Sequence, residues 1–262
     1  MNRLIVLGSV NADHVLRVSR FPRPGETVSG DDYRVLAGGK GANQAVAACR
    51  MGADTGFIAC IGEDAIGRQM VAQFADTGIN IEGVMTVAGS STGTAMIFVD
   101  DNGENCIGIS PQANAELTAE RLQRNLGAIE AAEILLMQLE TPLCGIELAS
   151  AVAQESGTRV ILNPAPARVL PDQLLARVDL ITPNQTEAQL LTGIAVVDDA
   201  SAAAAAEVLH DKGIPEVVIT LGARGVWLSE QRQGKLLPGF QVEAVDTTAA
   251  GDCFNGALMA AL

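Results

Sequence analysis

The chain has 262 residues, of which 48% are hydrophobic and 18% charged, a composition typical of a globular protein with a filled core. Its 17 basic and 31 acidic residues give a formal net charge of −14, and only 3% of its residues are aromatic. Such a surface repels phosphate backbones and anionic lipids, so we expect neither nucleic acid nor a membrane as a partner. An anionic substrate would need local backbone donors, a few placed cations and a metal.

The amino-terminal segment and the cysteines indicate where the protein works. The first ten residues contain a short apolar run and one basic residue, which is not a signal peptide, and no apolar stretch is long enough for a membrane span. Five cysteines occur without CxxC spacing, as expected for reduced thiols. The sequence therefore predicts a cytoplasmic protein.

The first predicted elements are a buried strand over 4–7 and two insertions that follow it. Between residues 15 and 37, prolines and glycines interrupt short alternating segments. Residues 94–99 and 106–109 flank Asp101-Asn102-Gly103, which predicts a hairpin. We expect these two insertions, at about 15–37 and 94–109, to form a small antiparallel sheet beside the main body.

The rest of the chain alternates apolar strands with helices, which predicts an α/β fold with a mostly parallel sheet covered on both faces. The predicted helices are 41–50, 67–76 and 201–210, and the predicted strands are 56–60, 134–137, 160–162, 180–182 and 217–221. Ligands of such sheets bind at the carboxyl ends of the strands. Polar or glycine residues follow these ends, which predicts a single cleft; they are Asn11, Asp13, Glu140, Asn184 and Gly222.

A segment near the carboxyl end carries the clearest chemistry. The sequence Asp246-Thr-Thr-Ala-Ala-Gly-Asp252 leads into an apolar helix. Small residues before a helix let its free N–H groups bind an anion, so Ala249, Ala250 and Gly251 could stabilise charge on a transferred phosphoryl group. Asp252 could accept a proton from a nearby hydroxyl. The alternative is that Asp252 simply caps the helix.

A glycine-rich segment opens the first long helix. The sequence Gly38-Gly39-Lys40-Gly41-Ala42-Asn43 lacks the spacing of a Walker A loop. Its glycines would allow the backbone to approach a ligand, and Asn43 offers a donor and an acceptor to a hydroxyl-bearing molecule. The alternative is a structural turn.

Taken together, these two segments resemble the amino-terminal and carboxyl-terminal signatures of the ribokinase (PfkB-type) carbohydrate kinase family. Similar segments occur at 8–13, 163–167, 184–187 and 220–225, so the resemblance covers nearly the whole chain. It implies a ribokinase-like α/β fold: a central, mostly parallel sheet with helices on both faces and a small antiparallel β lid. It also implies one kinase domain over 1–262, with the two insertions forming the lid.

The resemblance also implies a role for each matching residue. The sugar site would consist of Asn11, Ala12, Asp13, Gly39, Lys40, Gly41, Ala42, Asn43 and Glu140, with Asp252 as the base. The ATP site would consist of Asn184, Glu187, Thr220, Leu221, Gly222, Ala223, Arg224, Gly225, Gly251 and Asp252. Asn184 and Glu187 would order Mg²⁺ and its waters, while Asp246 and the carbonyl of Thr248 would bind a monovalent cation such as K⁺.

The activity implied by the resemblance is transfer of phosphate from ATP to the 5-hydroxyl of D-ribose, giving D-ribose 5-phosphate and ADP, by a homodimer joined through the lid sheet. The alternatives are a kinase for deoxyribose, fructose or a nucleoside such as adenosine, or a sugar-binding sensor without catalysis. A dinucleotide-binding oxidoreductase is excluded because no GxGxxG pattern follows Gly8.

Two features depart from the family pattern. Residues 110–114, Ser-Pro-Gln-Ala-Asn, stand where the family more often has a His and a Gly-Ala-Asn, which concerns the sugar-facing edge of the lid. The helix from Ala249 to Leu262 contains no terminating Gly, Asn or Pro near its end. We therefore expect that the carboxyl-terminal part of the family fold, with much of the adenine pocket, is missing from this chain.

Overall fold

A computed structural model describes residues 3–243 and 247–262. Within these residues, the main sheet has nine strands in the order β13-β12-β11-β10-β9-β8-β1-β4-β5. The strands of this sheet are β1 (Leu4–Leu7), β4 (Thr55–Gly62), β5 (Val84–Val87), β8 (Ile134–Met137), β9 (Arg159–Leu162), β10 (Leu180–Ile181), β11 (Glu216–Thr220), β12 (Gly225–Glu230) and β13 (Gln233–Pro238). Adjacent strands from β5 to β11 pair in parallel, whereas β12 and β13 add antiparallel strands at one edge.

The helices cover both faces of this sheet. They are α1 (Lys40–Arg50), α2 (Ala65–Thr77), α3 (Ala119–Leu122), α4 (Leu126–Glu130), α5 (Leu143–Ser156), α6 (Asp172–Leu175), α7 (Gln185–Thr192), α8 (Asp199–Asp211) and α9 (Ala250–Ala261). Strand β1 is buried along its whole length, and its side chains alternate between two cores. Leu4 and Val6 pack in the core under α1, α2 and α9, and Ile5 and Leu7 pack in the core under α5 and α8. This arrangement confirms the predicted fold class.

A second sheet forms the predicted lid beside the cleft. Its strands, in the order β3-β2-β6-β7, are β2 (Asn11–Val18), β3 (Gly30–Gly38), β6 (Gly93–Val99) and β7 (Asn105–Ser110). The two outer pairs are antiparallel as predicted, but β2 and β6 pair in parallel. The reason is that β2 and β6 are the outgoing strands of two hairpins, β2–β3 and β6–β7, and these two strands lie side by side.

No helix among the described residues is long and apolar enough to cross a membrane.

Candidate active site

A polar cavity of about 220 Å³ lies at the carboxyl ends of β9, β10 and β11, against the amino end of α9. The described residues that line it are Lys40, Asn163, Ala165, Thr182, Asn184, Glu187, Thr220, Thr247, Ala249, Ala250, Gly251, Asp252 and Asn255. The structure thus brings together one end of the predicted sugar site, the predicted base and part of the predicted ATP site. Two of the lining residues, Lys40 and Asp252, are more than 200 residues apart in the sequence.

Asp252 lies in the first turn of α9 and is 7% exposed. Its carboxylate accepts hydrogen bonds from Asn43 Nδ2 (3.0 Å, to Oδ2) and from Gln44 Nε2 (2.8 Å, to Oδ1), both on α1. The interpretation of Asp252 as a helix cap is wrong, because α9 begins after Ala249, which makes no side-chain cap. Burial raises the pKa of Asp252 above its usual value, while Asn43, Gln44 and Lys40 act in the opposite direction.

The first turn of α9 presents backbone donors to the cavity. Cys253 N–H donates to the carbonyl of Ala249 (2.8 Å), so the N–H groups of Gly251 and Asp252 precede the helical hydrogen bonds and point out of the amino end. The N–H of Ala250 donates to the carbonyl of Thr247 (3.2 Å). A helix amino end of this kind favours a negatively charged group.

Buried polar groups hold this turn in place. Asn255 Nδ2 donates to the carbonyl of Gly251 (2.8 Å), and Thr182 Oγ1 donates to Asn255 Oδ1 (2.6 Å). Asn255 and Thr182 are each 1% exposed. The end of β10 therefore fixes the orientation of the turn that carries Asp252.

The glycine-rich segment allows α1 to approach the end of β1. Gly39 has a φ of +91°, and a Cβ there would lie 2.8 Å from the backbone nitrogen of Asn11. A Cβ on Gly41 would lie 2.5 Å from the carbonyl carbon of Gly8. Backbone packing alone thus requires these glycines, and contact of Gly39, Gly41 and Ala42 with a ligand stays a prediction.

Glu140 connects three parts of the cleft floor. It follows β8 and accepts hydrogen bonds from Ser9 Oγ (2.5 Å) and from the backbone N–H of Lys40 (3.0 Å), both at Oε2. The Lys40 ammonium lies 4.0 Å from the other oxygen, Oε1. Because one oxygen is committed to the protein, Oε1 is the one that Glu140 could offer to a hydroxyl.

Asp13 lies on β2 in a row of four side chains that crosses one face of the lid sheet, called the lid row below. It is opposite Leu36 on β3 and Ala95 on β6, and Ala95 is opposite Ile109 on β7. Burial, together with the nearby charge of Glu140, raises the pKa of Asp13 to about 6, although Lys40 acts to lower it. The row combines one carboxylate with apolar side chains, which suits the polar and apolar edges of a sugar.

Asn11 is buried at the start of β2 and is held by Asn114. Asn114 Nδ2 donates to Asn11 Oδ1 (2.8 Å) and to the carbonyl of Val10 (3.0 Å), and Asn114 Oδ1 accepts from Val10 N–H (2.9 Å). The oxygen of Asn11 is thus occupied, which leaves its Nδ2 as a donor for a ligand. The departure at residues 110–114 does not remove this support, since Asn114 stands at its end. The adjacent Ala12 is 1% exposed.

Asn184 and Glu187 form a capping box at the start of α7. Asn184 Oδ1 accepts from Glu187 N–H and Glu187 Oε2 accepts from Asn184 N–H, both at 2.8 Å. Glu187 is 6% exposed, and burial raises its pKa. Both residues line the cavity. The capping box uses only Oε2 of Glu187, so the other carboxylate oxygen, Oε1, takes no part in it.

The predicted nucleotide loop, 220–225, lies at the far side of the cavity. Of the residues in this loop, Thr220 is the one that lines the cavity in the described part of the chain. It pairs with Asn184 through a parallel β-bridge. Leu221 is buried. The next three residues, Gly222, Ala223 and Arg224, form a 3₁₀ turn. Arg224 makes an ion pair with Asp199 and donates to the carbonyl of Val197 (3.1 Å), while Leu221 N–H donates to Gly225. The guanidinium of Arg224 is therefore used in holding the loop against α8.

The predicted monovalent-cation site is described only in part. Asp246 lies outside the described residues. Thr248 lies in the turn before α9.

Sequence reasoning missed several buried amides that support the predicted site residues. Gln44, Gln138, Asn163 and Asn255 lie beneath Asp252, and Asn114 lies behind Asn11. One signal was available for Gln44: it stands on the face of α1 otherwise formed by Gly41, Ala42, Ala45 and Ala48. A polar side chain on a buried face needs a partner, although the sequence does not show which one.

Comparisons with known proteins agree with this geometry. The sequence pattern of the pfkB family carbohydrate kinases matches residues 1–262. The chain is 51% identical to ribokinase of Haemophilus influenzae over 259 residues, which cover 99% of this chain and 85% of that protein. It is 35% identical to deoxyribokinase of Salmonella typhi over 254 residues, covering 97% and 83% of the two chains. A structure of Arabidopsis thaliana ribokinase complexed with ribose and ATP superimposes with a TM-score of 0.93 at 32% identity, covering 99% of this chain and 85% of that one.

The covered α/β sheet, the lid and the buried carboxylate at a helix amino end define a sugar kinase. The chain belongs to the pfkB family of carbohydrate kinases, as the match over all of its residues shows.

Proposed function

We propose that this protein transfers the terminal phosphoryl group of ATP to the 5-hydroxyl of D-ribose, with Asp252 as the base. The observation that carries the proposal is the position of Asp252: a buried carboxylate on the cavity wall, at a helix amino end, between Asn43 and Glu187. Ribose and ATP are supported by the relatives and structures named as ribokinases.

The mechanism follows from what each group can do. Asp252 accepts the proton of the sugar hydroxyl as the hydroxyl oxygen forms a bond to the terminal phosphorus of ATP. The bond between that phosphorus and the bridging oxygen breaks, and ADP leaves with the electron pair. The N–H groups of Gly251 and Asp252, and the ammonium of Lys40, stabilise the charge that spreads over the transferred phosphoryl group. Burial keeps water away from the base, so the sugar hydroxyl competes with little water for the phosphoryl group.

The sugar would bind between the lid row and the floor of the cleft. Asp13 and Glu140 Oε1 provide acceptors, and Asn11 Nδ2 and Asn43 provide donors, for hydroxyls that both donate and accept. Ala95 and Ile109 would pack on the carbon face of the ring. Deoxyribose is the competing substrate, because a deoxyribokinase is also among the relatives.

The ATP phosphates would lie along the cavity lined by Asn184, Glu187 and the first turn of α9. The oxygen donors there fit Mg²⁺, which takes few direct protein ligands and keeps several waters. When bound, Mg²⁺ would neutralise phosphate charge, which matters in a chain of net charge −14. K⁺ bound by Asp246 and the Thr248 carbonyl would act as an activator beside the turn.

We also propose a homodimer joined through the lid sheet, in the cytoplasm. The face of the lid sheet turned away from Asp13 exposes the large apolar side chains of Tyr33, Val35 and Met96, which are between 43% and 58% exposed, and a second copy would cover such a surface. The five cysteines are free thiols, the state that a reducing compartment maintains.

The substitution Asp252→Asn tests the assignment of the base. It keeps the shape of the side chain but removes the proton acceptor, so turnover should fall about 10²–10⁴-fold. The ribose dissociation constant, measured by calorimetry, should change little. ADP release with ribose and Mg²⁺ measures turnover, and deoxyribose, fructose and adenosine serve as competing acceptors.

Asp76→Asn on the exposed surface of α2 is the matched control and should keep wild-type turnover. Wild-type turnover in Asp252→Asn would disprove the role of the base. Ribose binding by the native chain without ADP release on any acceptor would instead favour the sensor.

A further inference from the structure

Gln44 is a fully buried residue that contacts the proposed base directly. It follows Asn43 on α1 and is 0% exposed. Its Nε2 donates to Asp252 Oδ1 (2.8 Å) and to Asn163 Oδ1 (3.0 Å), and its Oε1 accepts from Gln138 Nε2 (2.6 Å). Four side chains from α1, α9 and the ends of β8 and β9 thus meet beneath the cavity.

The charge of Asp252 explains how these amides are oriented. An ionised carboxylate only accepts hydrogen bonds, so the nitrogen of Gln44 must face it. The oxygen of Gln44 then faces Gln138, which must donate, and Gln138 Oε1 is left buried without a hydrogen-bond partner among the described residues. An unpaired buried carbonyl is costly. The arrangement therefore gives up a hydrogen bond at Gln138 and keeps a donor on Asp252.

The two oxygens of Asp252 are held in different surroundings. Oδ2 accepts from Asn43, which is half-buried and is one of the residues predicted to bind the sugar. Oδ1 accepts from Gln44, which no ligand in the cavity can reach because it is fully covered. Gln44 can therefore hold Oδ1 throughout a catalytic cycle, and Oδ2 is left to receive the proton.

We propose that Gln44 is a positioning residue for Asp252, which fixes the carboxylate with Oδ2 toward the sugar hydroxyl and stabilises its ionised form. This inference rests on the proposed function, since it takes Asp252 to be the base. Asn163 completes the arrangement: it accepts from Gln44 and donates to the carbonyl of Thr182 (3.0 Å), so the Gln44 amide is held from both sides.

The substitution Gln44→Met tests this, because it preserves length and volume but removes the donor. A hydrogen bond to a charged group stabilises it, so its loss should reduce kcat about tenfold near neutral pH. It should also move the acid limb of the kcat–pH profile upward by about one pH unit, since the carboxylate then binds a proton more readily. The KM for ribose should change less than twofold. The other charged groups facing Asp252 are Lys40, Glu140 and Glu187, and all of them are unchanged in the variant.

Gln44→Glu is the second variant, to be used if Gln44→Met does not fold. It keeps the shape of the native side chain. Two adjacent carboxyl groups share a proton, so the acid limb should again move to higher pH. A purely structural role would lower kcat equally at all pH values. An unmoved acid limb in a folded variant would therefore overturn the proposal.

Two controls separate this inference from the proposed function. Thr158→Val removes a buried hydroxyl that donates to the carbonyls of Ile129 (2.9 Å) and Ala132 (3.0 Å), away from the cleft. It should lower the thermal midpoint and leave the pH profile unchanged. Adding Gln44→Met to Asp252→Asn should cause no further loss of turnover. If Asp252→Asn is fully active, the proposed function fails; if it is inactive but the double variant loses about tenfold more, only the role of Gln44 fails.

Discussion

At the scale of single residues, Asp13 should make sugar binding depend on pH. Burial raises its pKa to about 6, so at pH 5 about a tenth of the side chains would be ionised. A protonated carboxyl accepts hydrogen bonds from sugar hydroxyls more weakly. The dissociation constant for ribose, measured by calorimetry without ATP, should rise about tenfold between pH 8 and pH 5.

Asp13→Asn should abolish this dependence, since the amide does not titrate, and ribose should bind weakly at every pH. Asp31→Asn, at an exposed position of the same sheet, is the control and should behave like the native chain. A pH dependence that persists in Asp13→Asn would assign the titration to another group.

At the scale of elements, the passage from the main sheet to the lid depends on Asn114. Its side chain pairs with both backbone groups of Val10, between β1 and β2, and it is 2% exposed. Asn114→Ala would leave a buried N–H and a buried carbonyl unpaired and would release Asn11. We expect a loss of about 2–4 kcal/mol in the free energy of unfolding, measured with urea, and a higher KM for ribose.

Asn105→Ala is the matched control, because Asn105 is exposed at the start of β7. It should change the free energy of unfolding by less than about 0.5 kcal/mol. Equal effects of the two substitutions on stability would show that Asn114 does not hold the lid.

The elements also show what a single sequence could predict. The strand predicted at 134–137 is β8, with the same bounds, and the helix predicted at 41–50 is α1, which begins one residue earlier at Lys40. Both could be predicted because the spacing of apolar residues and the positions of glycines depend only on neighbouring residues in the sequence. The edge strands β12 and β13 were not predicted. Apart from the buried Ser229, their residues are half-buried or exposed, and the two strands follow a glycine turn, so no continuous apolar run identified them.

The site divides in the same way. Lys40, Asn184 and Asp252, like most of the residues that line the cavity, were predicted from their place at strand ends or by family resemblance. The lining residues Asn163, Thr182 and Asn255 were not predicted as part of the site. The partners beneath them were not, because the bond between Gln44 and Asp252 joins residues 208 positions apart. Residue type indicates that a buried amide needs a partner, but only the packing of α1 against α9 determines that the partner is the base.

At the scale of the whole molecule, the cleft concentrates acidic groups whose ionised forms are disfavoured. Burial is the first cause that raises the pKa values of Asp13, Glu187 and Asp252. A group with a raised pKa stabilises the folded state at low pH, and this contribution is lost as pH rises through the folded pKa. We therefore expect the thermal midpoint of the unliganded protein to rise as pH is lowered from 8 toward 5.

Other carboxylates set the acid limit of this trend. Hydrogen bonds from Arg20 and Arg23 lower the pKa of Glu26 to about 2. Burial acts to raise the pKa of Asp64, but donors from Thr92 and Gly67 outweigh it and lower the pKa. These groups stabilise the fold above their usual pKa values and lose that contribution below about pH 4. The thermal midpoint should therefore pass through a maximum near pH 5.

Asp13→Asn tests what raises the thermal midpoint as the pH is lowered. The cause could be the protonation of carboxylates in the cleft or the relief of general repulsion in a chain of net charge −14. Removing the half-buried charge of Asp13 should raise the thermal midpoint at pH 8 by about 2–4 °C and at pH 5 by much less. Glu155→Gln, on the exposed side of α5, removes the same formal charge and should have little effect at either pH. If both variants raise the midpoint equally, and 0.5 M salt abolishes the gain, general repulsion is the cause, since salt screens exposed charges far more than buried ones.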